Sequence, residues 1–182
     1  MAWSGILDEG HLVAANPHPQ YALEDSASLH AFPAPATLSA ASDATATELN
    51  SMRAVLFDQS ADQSWYESAY YPLNLPASTI KLRIAYSASA IGGDVRLEVS
   101  IGRRQDGLEL GSAVFDGENV EVVTVPGSSN TLDVVDITLT NDHSIAPGDF
   151  FIIRIRRNGV HVDDTLTTGD VYVYMAVAWV EV

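Results

Sequence analysis

The residues of this chain best able to do chemistry are its five histidines and its excess of carboxylates. His11, His18 and His30 come early. His143 follows Asp142, and His161 lies just before Asp163 and Asp164. A histidine beside carboxylates is the raw material of a metal site or a general base. No HExxH pattern and no i, i+4 histidine pair is present, and ligands must converge with definite geometry. Exposed loop histidines are therefore the simpler reading, and no metal ligand is assigned. Asp58, Asp62, Glu67, Asp106, Asp116, Glu118, Asp163 and Asp164 could supply the acid pair of a glycosidase. Acids are so abundant that such pairs arise by chance. Loop carboxylates and carbonyls could also hold calcium, but no calcium-loop pattern appears. A nucleophile elbow, a Gly-rich phosphate loop and a dinucleotide fingerprint are all missing. The expectation is a non-enzymatic protein with no catalytic residue and no cofactor.

Two other groups of side chains invite a role. Trp65, Tyr66, Tyr70 and Tyr71 form an aromatic cluster. Core packing is its first reading, a subunit interface its second, and a platform for stacking on sugar rings its third. Arg103, Arg104, Arg154, Arg156 and Arg157 stand out as basic on an acidic chain. They are expected to pair within the subunit or stay solvated, or else to meet acids of a neighbouring subunit.

Composition narrows the partners. Of 182 residues, 24 are acidic and 9 basic, giving a net charge of −15. Such a surface repels phosphate backbones and anionic lipid, so neither nucleic acid nor a membrane is expected as a partner. The apolar fraction of 47% is ample for a core. With no cysteine there are no disulfides, which suits folding in a reducing cytosol. Asp8 and Glu9 interrupt the place where a signal peptide needs an apolar run, and no stretch is long and apolar enough to span a bilayer.

The elements that would position these groups are β-strands. The last stretch, Asp170 to Val182, has no charge, Gly or Pro between Val171 and Val180. One parity reads Val171, Val173, Met175, Val177, Trp179 and the other Tyr172, Tyr174, Ala176, Ala178, Val180. A strand apolar on both faces is covered on both faces. One cover is the domain's own core and the other is expected to be a second subunit. Alternation recurs earlier, with Ile80, Leu82, Ile84 and Tyr86 inward against Lys81 and Arg83. Val95, Leu97, Val99 and Ile101 are likewise inward against Arg96, Glu98 and Ser100, and Phe151, Ile153 and Ile155 against Arg154 and Arg156. Further strands are expected over Arg53–Asp58, Ser64–Tyr71, Leu110–Phe115, Val120–Val125 and Leu132–Thr140. Gly92-Gly93, Asp106-Gly107, Asp116-Gly117 and Arg157-Asn158-Gly159 supply turns. Roughly eight short strands without crossover helices indicate an all-β fold, an antiparallel two-sheet jelly-roll sandwich over residues 53–182.

Residues 1–52 read differently. They carry six acids and no Lys or Arg, with Pro17, Pro19, Pro33 and Pro35. This segment buries little by itself and reads as an extended N-terminal arm and linker that orders against something else. Trp3, Ile6 and Leu7 make an apolar head, and Asp43 could cap a short helix carrying Leu49 and Met52.

Within the arm, Asn16-Pro17-His18-Pro19-Gln20-Tyr21 resembles the His-Pro-Gln-Tyr element of tailed-bacteriophage fibre and appendage proteins. The region from Val55 to Val182, with LFDQSADQSWY and YYPLNLP, looks like the small jelly-roll domains of phage virion proteins. That resemblance implies a structural virion protein, assembled in the host cytoplasm, of the head-decoration or head-fibre kind. It would be anchored to capsid or tail proteins by Trp3, Ile6, Leu7, His18, Pro19, Gln20 and Tyr21. It would form a homotrimer through Trp65, Tyr70, Tyr172, Tyr174 and Trp179. The alternative it implies is a tail-fibre or receptor-binding head that recognises host surface glycans. The chain lacks the repeated shaft sequence of long tail fibres, which favours the compact kind.

Overall fold

The computed structural model describes residues 26–31, 44–49, 51–59, 61–71, 79–104 and 115–181, and the side chains of these except 26–31, 69, 70, 175 and 177–181. The anchoring residues expected in the arm lie outside the described residues, as does all but Phe115 of the strand expected over Leu110–Phe115. Among the described residues there is no helix.

The described chain forms β1 (Ser26–Ala31), β2 (Thr45–Leu49), β3 (Met52–Phe57), β4 (Asp62–Tyr70) and β5 (Ile80–Ala88). It continues with β6 (Asp94–Arg104), β7 (Asn119–Thr124), β8 (Asp133–Leu139), β9 (Phe150–Asn158) and β10 (Val171–Glu181). One sheet has the order β2-β3-β10-β5-β8, with β1 also on β10, and the other has the order β4-β9-β6-β7. All pairings are antiparallel. From β3 onward each connection crosses from one sheet to the other, except the β6–β7 link. Four strands facing four in the orders β3-β10-β5-β8 and β4-β9-β6-β7 make a jelly roll.

The alternation places the core. Ile80, Leu82, Ile84 and Tyr86 of β5, and Val95, Leu97, Val99 and Ile101 of β6, are all fully buried. Phe151, Ile153, Val171 and Phe57 close the same layer. With strands of period 2, every second side chain of both sheets enters one apolar slab.

Three local readings change. The segment after Asp43 is the strand β2, not a capped helix. Thr45 and Thr47 suit a pleated edge strand, and the ladder to β3 supplies the backbone partners that a short helix would have to find within itself. Arg157 does not open a turn; β9 runs on to Asn158 and carries Arg157 on its inward side, opposite Leu97. Glu98 and Ser100 point outward, yet each is only 1% exposed, because the long arginine side chains of β9 lie over them.

The strand ends give the molecule a polarity. Val171, which opens β10, pairs with Phe57 and Ala88, which close β3 and β5. The links β3–β4, β5–β6, β7–β8 and β9–β10 therefore gather at one end. At the other end of β10, Glu181 pairs with Ser26. The eleven residues of β10 separate the two ends by roughly 33 Å at about 3.3 Å per residue.

Tyr86 shows how completely the slab is closed. Its ring is fully buried and its hydroxyl donates to Asp133 Oδ2 at 3.1 Å. Burial, the bond to Asp133 and that carboxylate's charge all push its pKa well above the ordinary tyrosine value. The folded state thus keeps a proton that the unfolded state gives up. The stability from this group is complete below about pH 10 and is lost as pH rises further. The expected result is a steep fall in urea stability above pH 10 in the native chain. Tyr86→Phe should flatten that fall, and equal slopes in the two proteins would contradict this account.

Candidate functional site

Three surfaces are built from the residues singled out above. The first is the outer face of the β4-β9-β6-β7 sheet. Rows across it read Ser64, Arg156, Glu98 and then Tyr66, Arg154, Ser100. Arg156 Nε donates to Asp62 Oδ1 at 2.5 Å and Nη1 to Glu118 Oε1 at 2.7 Å, with Glu98 Oε2 at 3.3 Å. Burial opposes the charge on Arg156, but Asp62, Glu98 and Glu118 outweigh it and hold the pKa above the ordinary value. Arg154 donates to Ser100 Oγ at 2.9 Å and to Glu118 at 3.2 Å. Its guanidinium also lies 4.9 Å over the ring of Phe115, whose centroid is 5.9 Å from that of Tyr66. Arg96 extends the network to Glu98 at 2.6 Å and Asp163 at 3.0 Å. The face is thus a patch of two rings and matched charges of both signs.

The aromatic cluster divides between faces. Trp65, opposite Ile155, faces inward and fills the core with Tyr71. Tyr66 faces out. Tyr70 and Trp179 lie in β4 and β10 with their side chains outside those described.

The second surface is the outer face of the other sheet. Tyr172 and Tyr174 are half-buried there, beside Leu56 and Ser87. The Tyr174 and Ser87 hydroxyls lie 2.7 Å apart. Burial, with Asp170 and Tyr174 adding to it, raises the pKa of Tyr172.

The third is the loop end, and Arg157 organises it. This guanidinium is fully buried and fork-bonded to Asp164, Nε to Oδ2 and Nη2 to Oδ1, both at 3.0 Å. It also donates to the carbonyls of Leu166 and Gly169 at 2.9 Å, and at longer range to those of Phe57 and Asp58. One side chain therefore ties the β9–β10 loop to the end of β3. Backbone bonds do the rest: Thr165 and Leu166 donate to Asp94 O, and Ser89 to Asp170 O. Gly92 and Gly93 have φ of 75° and 104°, which a side chain would resist, and a Cβ at Gly93 would meet Thr165 O at 2.9 Å. Spacing alone could not reveal Arg157, because its partner lies in a loop whose path is set by the fold.

The candidate chemical groups are taken up structurally. His143 Nδ1 accepts from the Arg103 N–H at 3.2 Å, and Asp142 accepts from Ser144 N within a turn. His161 Nδ1 accepts from Asp163 N at 3.2 Å. Asp62, Glu118, Asp163 and Asp164 are arginine partners. Asp116 accepts from the backbone N–H groups of Gly117 and His143, which lower its pKa. Among the described residues no group of three or more His or carboxylate side chains is placed to hold a metal ion.

No family model matches the chain, and no curated protein does. Solved structures with some likeness are carbohydrate-binding modules. One is a CBM36 module in complex with calcium and xylotriose, at 17% identity and TM-score 0.37, covering 83% of this chain and 96% of that one. Another is the family 30 module of a cellulosomal cellulase of Clostridium thermocellum, at 10% identity and TM-score 0.43, covering 84% and 92%. A third is the family 29 module from Piromyces equi, at 12% identity and TM-score 0.37, covering 75% of each chain. At such scores these likenesses say nothing about a ligand here; the jelly roll stands on the strand order itself.

Proposed function

We propose that this chain is a non-enzymatic virion surface protein of the tailed-phage type. The jelly roll is a projecting head, the residues ahead of β1 are its anchor, and copies assemble as a homotrimer. The observation that carries this reading is the placement of β1. All the residues that resemble an anchor precede Ser26, and from there the chain enters the sheet antiparallel to β10. A pull on the arm runs along the strand and loads that ladder in shear, across its hydrogen bonds. Such a join holds a head to an anchor. Gold-labelled antibody against the chain is expected to decorate purified particles from cultures that make it. Particles without label, when the protein is present in the lysate, would overturn the proposal.

The trimer draws on the outward tyrosines of β10. On a body of charge −15, copies meet most easily where few charges stand, and Leu56, Tyr172 and Tyr174 form such a strip. Light scattering is expected to give the mass of three 19.5 kDa chains for the native protein and of one for Tyr172→Glu. A trimer that survives this substitution would move the interface elsewhere.

A second reading has its own observation in the Tyr66–Phe115–Arg154 patch. Rings beside balanced donors and acceptors suit an uncharged host glycan better than an acidic one, since every cation of the patch already has a carboxylate. On a glycan array, Tyr66→Ala is expected to lose at least about tenfold in binding. Native protein that binds no glycan on the array would remove this reading.

A further inference from the structure

The loop end carries the chain's most exposed large apolar side chains among those described. Val162 is 83% exposed, Val160 70% and Ile91 61%. Isolated apolar residues on a surface need no explanation. These differ in their support. Val160 and Val162 sit on the loop that Arg157 fixes from below through Asp164, Leu166 and Gly169. Ile91 sits on the β5–β6 turn, which is bonded to the same loop through Asp94 and Ser89. Gly159, just before Val160, packs on the carbonyls of Gln59 and Ala61. A stiff loop that holds apolar side chains in water has less ordering left to do when it binds.

Position adds a second argument. β1 enters at the opposite end of β10, so in a head anchored by the arm these loops form the far tip. Charge supplies the third. Asp58, Asp62, Asp94, Asp163 and Asp170 stand around the end, against Arg96 and Arg156, which pair with Asp163 and Asp62, while Arg157 and Asp164 neutralise each other in the interior. A second copy of this chain is a poor occupant, being equally acidic and having Arg96, Arg154, Arg156 and Arg157 already in ion pairs. A sugar is a poor one too, because these loops hold no Trp, Tyr or Phe for a ring to stack on.

We propose that the loop end is a protein-binding tip that inserts Val160, Val162 and Ile91 into an apolar hollow bordered by Lys or Arg on a host surface protein. This rests on the virion reading above. The probe is the intact host cell, offered fluorescently labelled full-length protein. Native protein should bind, and Val160→Asp/Val162→Asp should bind at least tenfold less. Ile91→Asp should fall in the same direction, and Val122→Asp on β7 should match the native protein. Protease treatment of the cells should abolish binding, and periodate treatment should leave it. Unchanged binding by the double variant would overturn the proposal, as would loss with periodate but not with protease. Failure of native protein to bind cells would overturn it too. In each of these cases the particle-labelling experiment still reports separately on the virion reading.

Discussion

Arg157→Met should unfold in urea at a free energy lower than the native chain by about 3–5 kcal/mol, the usual penalty for breaking a buried ion pair. In a chain of this length that is a drop of melting temperature on the order of 10 °C. The reason is that the substitution strands several groups at once. Asp164 loses both bonds of its fork and is left buried beside the backbone of Arg96. The carbonyls of Leu166 and Gly169 lose their donor in the interior. Replacing both members of the pair, Arg157→Met with Asp164→Leu, should cost no more than the single change, because the uncompensated charge goes too. Additive losses in the double variant, or a single variant within about 1 kcal/mol of native, would show that the guanidinium is not the hub of the loop end.

The second large effect concerns the N-terminal segment. A chain that starts at Met52 lacks β1 and β2. It uncovers the edge of β10 from Val177 to Glu181 and the edge of β3. It also loses the bond from Ala44 N to Ser64 O, which ties the start of β2 to β4. At about 1 kcal/mol for each of a few net hydrogen bonds, the loss is on the order of 3 kcal/mol. Exposed, apolar strand edges also invite pairing between copies. The expected outcome is a lower melting temperature together with concentration-dependent aggregation in light scattering. A chain that starts at Asp25 should melt with the full-length protein. Equal melting of all three would mean that β1 and β2 add nothing to the sheet.

How far the amino-acid pattern could reach follows from these cases. The strands from Ile80 to Tyr86 and from Val95 to Ile101 are legible because one face is buried, and period 2 then writes itself into residue type. The register of β10 between β3 and β5 is not legible, since either parity of that strand is apolar. Tyr172 and Tyr174 look as buried as Val171 and Val173 until the partners are known. Glu98 and Ser100 read as solvent-facing, and outward they are, but the cover over them comes from Arg154 and Arg156, three strands further along the chain. Arg157 reads as a turn residue because a charge at an inward position makes sense only once Asp164 and the loop carbonyls are folded around it. β2 escaped because Thr and Ala in a short run favour no period. The aromatic cluster divided as a strand must: Trp65 went to the core and Tyr66 to the outer face, so the sugar-stacking reading passes from the first to the second.

Incorporation into particles separates an anchored head from a free one. Full-length protein and a chain lacking residues 1–24 would be supplied separately to particles assembled without it, and each would be measured in the sedimented particle fraction. The full-length chain is expected to sediment with particles while the shortened chain, folded and with β1 intact, stays in the supernatant. Equal recovery of both chains with the particles, or of neither, would contradict an anchor ahead of Ser26.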